Sequence, residues 1–415
     1  MHAPQHDGTV RFRRLVRWMG AIGGAAACAA FVIAAAPHWR TGNQPARATG
    51  AHRSAGAGAG AARSLTLRTP SAGRAPWLAP ARGPGYLAPG SNPSALPADV
   101  LVADHQNNRL LIIDPQGRVR WRFPRPGDLA RGQTFRAPDD AFFSPDGRFI
   151  VATQETDQVL SVISIAAHRI VYRYGRPGTQ GSGRNRLANP DDAMLLPDGH
   201  IVVADILNCR VLFIAPPAHR PLRVLGPAAG LASGGCWHAP PWRFASPNGA
   251  FPTPQGQLII TEINGDWATS LSPSGHVCWS VHPPGVAYPS DTNQVRPGRL
   301  ITADYSNPGQ VVEFNRHGRL LWRFGGLNHP SLALPLPNGD ILINDDFNDR
   351  IIVVNPASHT IVWQYGHTGV AGRSPGYLND PDGVDLVPPD SMLIRQPATM
   401  GSRAANCGGP RRITP

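Results

Sequence analysis

NPDDAMLLPDGHIVVADILNCRVLFI, residues 189–214, is the stretch whose reading decides the fold. Pro190 leads an apolar run to Leu196, and Pro197-Asp198-Gly199 makes a turn. Ile201–Ala204 is a second apolar run ending in Asp205, and Val211–Ile214 is a third. Short apolar runs bounded by Pro, Asp, Asn and Gly read as strands and hairpins. The same order of features recurs from Pro138, Pro247, Pro289 and Pro330, with turns at Asp146-Gly147, Gln255-Gly256, Pro297-Gly298 and Asn338-Gly339. A small residue and an acid close the second strand, and the position of Asp205 is filled in chain order by Asp104, Thr153, Asp205, Glu262, Asp304 and Asp345.

A period of roughly 40 to 57 residues, with an aromatic fourth strand in each unit, is the spacing of propeller blades. The first copy, around Leu101–Phe123, lacks an opening strand, while Pro381-Asp-Gly-Val-Asp-Leu-Val-Pro388 is an opening strand with nothing after it. Joined, they make one blade and close a ring, which removes long exposed sheet edges. The fold class is therefore all-β: a six-bladed β-propeller of four-stranded blades over residues 98–389, closed by its C-terminal strand.

Two copies carry more detail. Tyr174-Gly175-Arg-Pro-Gly178-Thr-Gln-Gly181, Leu187-Ala-Asn-Pro190 and then Asp198–Arg210 resemble an NHL repeat, and Tyr365-Gly366-His-Thr-Gly369-Val-Ala-Gly372 with Pro381-Asp-Gly383-Val repeats the opening half. The resemblance implies a binding or protein-interaction module. The later copies end differently. Gly318-Arg-Leu-Leu-Trp322-Arg-Phe and Thr360-Ile-Val-Trp363-Gln-Tyr are similar to quinone-binding-like and arylsulfotransferase-like propellers. That second likeness implies an enzyme as the alternative, either a metal-dependent lyase or hydrolase or a sulfotransferase-like transferase with His329 as acceptor. A quinone cofactor rests on it alone and is not favoured.

Composition removes other classes. All 39 Lys+Arg residues are Arg, so Schiff-base lysines, Ser-Lys dyads and phosphate-loop lysines are excluded. The net charge of +12 is not on the repeats: residues 1–97 hold eleven Arg against Asp7, 98–389 hold 24 Arg against 25 acids, and 390–415 hold four Arg against Asp390. A near-neutral folded region argues against nucleic acid as a partner, which needs clustered positive charge. Gly178-Thr-Gln-Gly181-Ser-Gly183 precedes a strand rather than a helix, so it is no phosphate cradle.

The basic N-terminus has its own reading. Arg11, Arg13, Arg14 and Arg17 precede an uncharged stretch, Trp18–Ala36, long enough to cross a bilayer as a helix. Charge bias places residues 1–17 in the cytoplasm and the rest outside. Pro37 after Ala34-Ala35-Ala36 disfavours cleavage, so 18–36 is expected to be an uncleaved signal anchor, with secretion after cleavage as the alternative. Residues 37–97, rich in Ala, Gly, Pro and Arg, are expected to be a disordered tether, and 390–415 a flexible tail. The expected partners are the membrane, through that helix, and a protein or cell-envelope ligand.

Candidate site residues follow the leading prolines, where the inner strands ring the channel. Asp139-Asp140, Asp191-Asp192, Asn248-Gly249, Ser290-Asp291, Ser331-Leu332 and Asp382-Gly383 stand there, with His329 before Pro330. Asp140, Asp192, Asn248, Asp291 and Asp382 are the candidate ligand-binding set, and His329 the candidate catalytic residue. Asp140, Asp192 and Asp291 could supply oxygen ligands to calcium, the one metal cofactor that these residues suggest. The competing reading has these acids merely cap strand ends in channel water. Trp121, Tyr172, Trp279, Trp322 and Trp363 are expected to pack between blades. Asp205, Asn208 and Arg210, and likewise Asp345, Asn348 and Arg350, are expected to be turn chemistry with a local ion pair. Outside the cytoplasm, Cys209 is expected to pair with Cys236, with Cys236–Cys278 as the alternative and Cys278 otherwise a buried thiol. No Cys/His pair has zinc spacing.

Overall fold

The computed structural model describes Leu78, residues 81–228 and 235–388, and Cys407, all within the compact unit Leu65–Pro415. The expected cytoplasmic terminus 1–17, the expected anchor 18–36, most of the expected 37–97 tether and the 390–415 tail apart from Cys407 lie outside the described residues. Among the described residues no helix is long and apolar enough to cross a membrane.

Among the described residues, twenty-four strands form six four-stranded antiparallel sheets. In chain order they are β1 Val100–Asp104, β2 Arg109–Ile113, β3 Val119–Phe123, β4 Ala141–Phe143, β5 Phe149–Gln154, β6 Val159–Ser164, β7 Arg169–Gly175, β8 Pro190–Leu195, β9 Ile201–Asp205, β10 Arg210–Ile214, β11 Pro221–Leu225 and β12 Pro247–Pro252. The second half continues with β13 Leu258–Glu262, β14 Trp267–Leu271, β15 Val277–Val281, β16 Pro289–Arg296, β17 Arg299–Asp304, β18 Gly309–Asn315, β19 Leu320–Leu327, β20 Ala333–Pro335, β21 Ile341–Asp345, β22 Arg350–Asn355, β23 Thr360–Gly366 and β24 Pro381–Leu386. Five blades are consecutive quartets from β4 to β23. The remaining blade has the order β24-β1-β2-β3, in which the C-terminal strand pairs with the first (Val100↔Leu386, Val102↔Val384) and closes the ring.

The burial pattern follows from blades stacked face against face. A middle strand packs on both sides, so β9 and β10 are buried throughout and apolar apart from Asp205 and Arg210, whereas the outer β11 is largely part-exposed. The outer-strand aromatics bridge neighbouring blades, as expected from their periodicity. Trp121 Nε1 donates to Ile165 O at 3.3 Å, Tyr172 OH to Ala218 O at 2.7 Å, Trp322 Nε1 to Pro356 O at 3.0 Å and Trp363 Nε1 to Pro115 O at 2.8 Å. Each acceptor lies in the turn between the third and fourth strands of the next blade. Arg223 holds the equivalent register on β11 and donates to Pro273 O, so a cation fills the column where no aromatic stands.

Two expectations are corrected by strand pairing. The register matches Gln154, not Thr153, to Asp205, because Gln154↔Val159 aligns with Asp205↔Arg210. The folded region also begins well before residue 98. Leu87 bridges Tyr365, Ala88 N–H donates to Gln364 O at 3.1 Å and Asn92 N–H to Val362 O at 2.7 Å, so this segment lies along the outer edge of β23. A short 3₁₀ turn, Pro93–Ala95, capped by Asn92, then buries Ala95 and Leu96 in the core. The composition of 37–97 hid this because an edge-covering segment needs backbone amides and a few Leu, not a periodic apolar face.

Candidate functional site

The acid that ends the second strand does local work. Asp205 accepts from Ala188 N–H (2.7 Å), Asn208 Nδ2 (2.8 Å) and Arg210 Nε (2.7 Å). Asp345 repeats this with Asn328 N–H, Asn348 and Arg350, and Asp104 with Asn379 N–H, Asn107 and Arg109. Glu262 takes the N–H of Ala245. In each case a buried carboxylate ties down the loop just before the leading proline, and so fixes where the inner strand starts.

That start is a β-bulge. Pro190 pairs with Asp205 and Ala193 with Val203, leaving Asp191 and Asp192 opposite Ala204 alone. Asn248-Gly249, Ser290-Asp291 and Asp382-Gly383 stand in the same two-against-one arrangement. An extra residue leaves the ladder and re-aims side chains. Repeated around the axis, the bulge gathers carboxylates from separate blades at one end of the channel.

The acids form three linked groups whose ligand atoms lie within 4.8 Å of one another: His105 with Asp139 and Asp382, Asp139 with Asp140 and Asp191, and Asp140 with Asp192 and Asp291. His105 Nδ1 is 3.4 Å from Asp139 Oδ1 and 3.7 Å from Asp382 Oδ2. Burial, reinforced by neighbouring carboxylates, raises the groups well above the ordinary range: Asp139 beside Asp382, Asp191 beside Asp139, Asp192 beside Asp291, and Asp291 beside Asp140. Desolvation above all pushes Asp140 up to about 7, and desolvation with the Asp382 charge pushes Asp380 up to about 6. Like charges held apart from water disfavour ionisation. The cluster therefore takes up protons or an external cation.

Of the expected residues, Asp140, Asp192 and Asp291 come together and Asp382 joins through Asp139. Asn248 donates to Ser290 Oγ at 3.0 Å and belongs to none of the three groups. His329 is not the imidazole of the cluster. It bonds Asn328 Oδ1 at 2.9 Å and packs against Tyr305 and Phe347, at the seam between two blades. Its backbone is left-handed, with φ 53°, as at four of the other five residues before leading prolines, Ala137, Asn189, Ser246 and Asp380. His105 takes the place expected for His329. It belongs to a second ring, the residues just after the second strand: His105, Glu155, Ile206, Ile263, Tyr305 and Asp346. Reading one position past the recurrent acid would have found that ring, had Glu155 not been displaced by the Thr153 alignment.

Cys209 and Cys236 form a disulfide, with Cα atoms 5.2 Å apart, on the face that carries the acids. Cys278 is not a buried thiol. It pairs with Cys407, whose place in a tail of unpatterned composition gave no sign of a partner on β15.

Neither a family model nor a curated protein matches the sequence. Solved structures similar to it include a protein of unknown function from Bacteroides caccae (15% identity over 70% of this chain and 99% of that one, TM-score 0.47). Others are a chain of a nidogen/laminin complex (15%, 70% and 98%, TM-score 0.49) and a virginiamycin B lyase from Staphylococcus aureus (15%, 55% and 69%, TM-score 0.39). Likeness at this level transfers no activity.

Proposed function

We propose that this chain is a β-propeller binding module of the NHL-like kind, held outside the cytoplasm by its N-terminal segment, and that the acidic channel mouth receives a positively charged group of a protein or cell-envelope ligand. The observation that carries the reading is the gathering of His105, Asp139, Glu155, Asp346, Asp380 and Asp382 at one end of the channel. Two disulfides support an oxidising compartment. The metal-dependent enzyme alternative calls for several imidazoles, and His105 is the only His in the acid groups among the described residues; the sulfotransferase-like alternative would use His329, which packs against Tyr305 and Phe347 outside those groups.

Titration calorimetry of the full chain with hexa-arginine, and with hexa-glutamate as control, tests this. Hexa-arginine is expected to bind, more weakly as salt rises, and the Asp139→Asn/Asp382→Asn variant to bind at least tenfold more weakly. Equal binding by that variant, or none by the wild type at low salt, removes the reading.

A further inference from the structure

Deeper than the residues assigned to ligand recognition, the bulge positions of the six blades read Gly383, Asp140, Asp192, Gly249, Asp291 and Leu332 around the axis. The three carboxylates come from different blades and are 3%, 1% and 1% exposed. Among the described residues no Arg pairs with any of them. Asp192 Oδ2 accepts from Ala250 N–H at 3.1 Å, but Asp192 Oδ1, Asp140 Oδ1 and both oxygens of Asp291 are buried and find no hydrogen-bond donor outside the neighbouring carboxyl groups. An orphaned buried carboxylate is costly unless something charged reaches it.

The glycines supply an independent observation. A Cβ at Gly249 would lie 2.6 Å from Asp291 Oδ1 and 2.9 Å from Thr261 Oγ1, and one at Gly383 would lie 2.7 Å from both Asp140 Oδ1 and Asp140 Cα and 2.8 Å from Ala141 N. Neither glycine has a positive φ, so close approach of the neighbouring inner strand requires glycine there; at Gly249 the nearest atom is a carboxylate oxygen, and at Gly383 a carboxylate oxygen and backbone are equally near.

We infer that Asp140, Asp192 and Asp291 form a binding site for one calcium ion inside the channel. All the donors are oxygen, which suits a hard cation rather than zinc or copper. Oxygens within 4.8 Å of one another can share a cation at the 2.3–2.6 Å that calcium prefers, and a cage of protein carboxylates suits calcium better than magnesium, which sheds its waters reluctantly. One dication leaves three carboxylates with a single net negative charge, and backbone carbonyls or water can complete the shell. The site uses different carboxylates from the cationic-ligand reading, so the two are tested by separate ligands and separate variants.

The test uses the full chain stripped with EDTA. Calorimetry with calcium chloride is expected to give one site per chain. At 100-fold excess over Kd, calcium is expected to raise Tm by about 5 °C, and magnesium at equal ionic strength by much less. The Asp192→Asn/Asp291→Asn variant is expected to lose the calcium response while its metal-free Tm is no lower than wild type, because buried repulsion has been removed; that unchanged Tm also shows that it folds. No calcium uptake by the wild type, an equal response to magnesium, or an intact calcium response in the variant overturns the inference.

Discussion

Asp380 shows what the cluster does to a single residue. Its folded pKa stands near 6, raised by desolvation and by Asp382, against about 3.9 in an unfolded chain. The folded state therefore binds more protons between pH 4 and 6, and stability falls as pH rises through that window. Asp380→Asn keeps the left-handed backbone, since Asn accepts φ near 56°, and removes the titration. In EDTA, its stability relative to wild type is expected to grow by about 1–3 kcal/mol from pH 4.5 to 7.5 in denaturant melts; a gap that stays constant with pH would show that Asp380 is not held protonated. Packing residues should rank by burial. Trp363, fully buried and bonded across the blade seam, is expected to cost about 3–5 kcal/mol on change to Ala, and the partly exposed Trp322 clearly less.

At the scale of elements, the blades were legible because each repeats turn chemistry at a fixed place. The leading Pro, the Asp-Gly turn and the terminal acid are all demanded by local backbone geometry, so they survive in the sequence as a pattern. The site was legible only in part. The inner acids follow a Pro and could be read from it, but the bulge that turns them inward has no residue signature here: Asp-Asp, Asn-Gly and Ser-Asp all occupy it. His105 was hidden because its role comes from the ring it completes with other blades. Residues 84–96 were missed because backbone pairing to β23 leaves no periodicity. A chain starting at residue 98 is expected to have a lower Tm than one starting at residue 75 and to aggregate on heating, since the edge of β23 and the core around Leu96 are uncovered. Identical Tm values would show that the segment adds nothing.

For the molecule as a whole, charge separates into a basic N-terminal stretch and an acidic mouth on a nearly neutral propeller. Two disulfides add covalent ties. The Cys209–Cys236 loop spans 27 residues, and replacing both cysteines with Ala is expected to cost about 3 kcal/mol in an equilibrium unfolding experiment. The ring closure has a consequence for manufacture. β24 is among the last strands synthesised, yet it carries Asp382 and is the inner strand of the blade that holds His105. Until residues 381–386 have been made, the mouth lacks one wall. A chain cut before Pro381 is therefore without one wall of the acidic mouth.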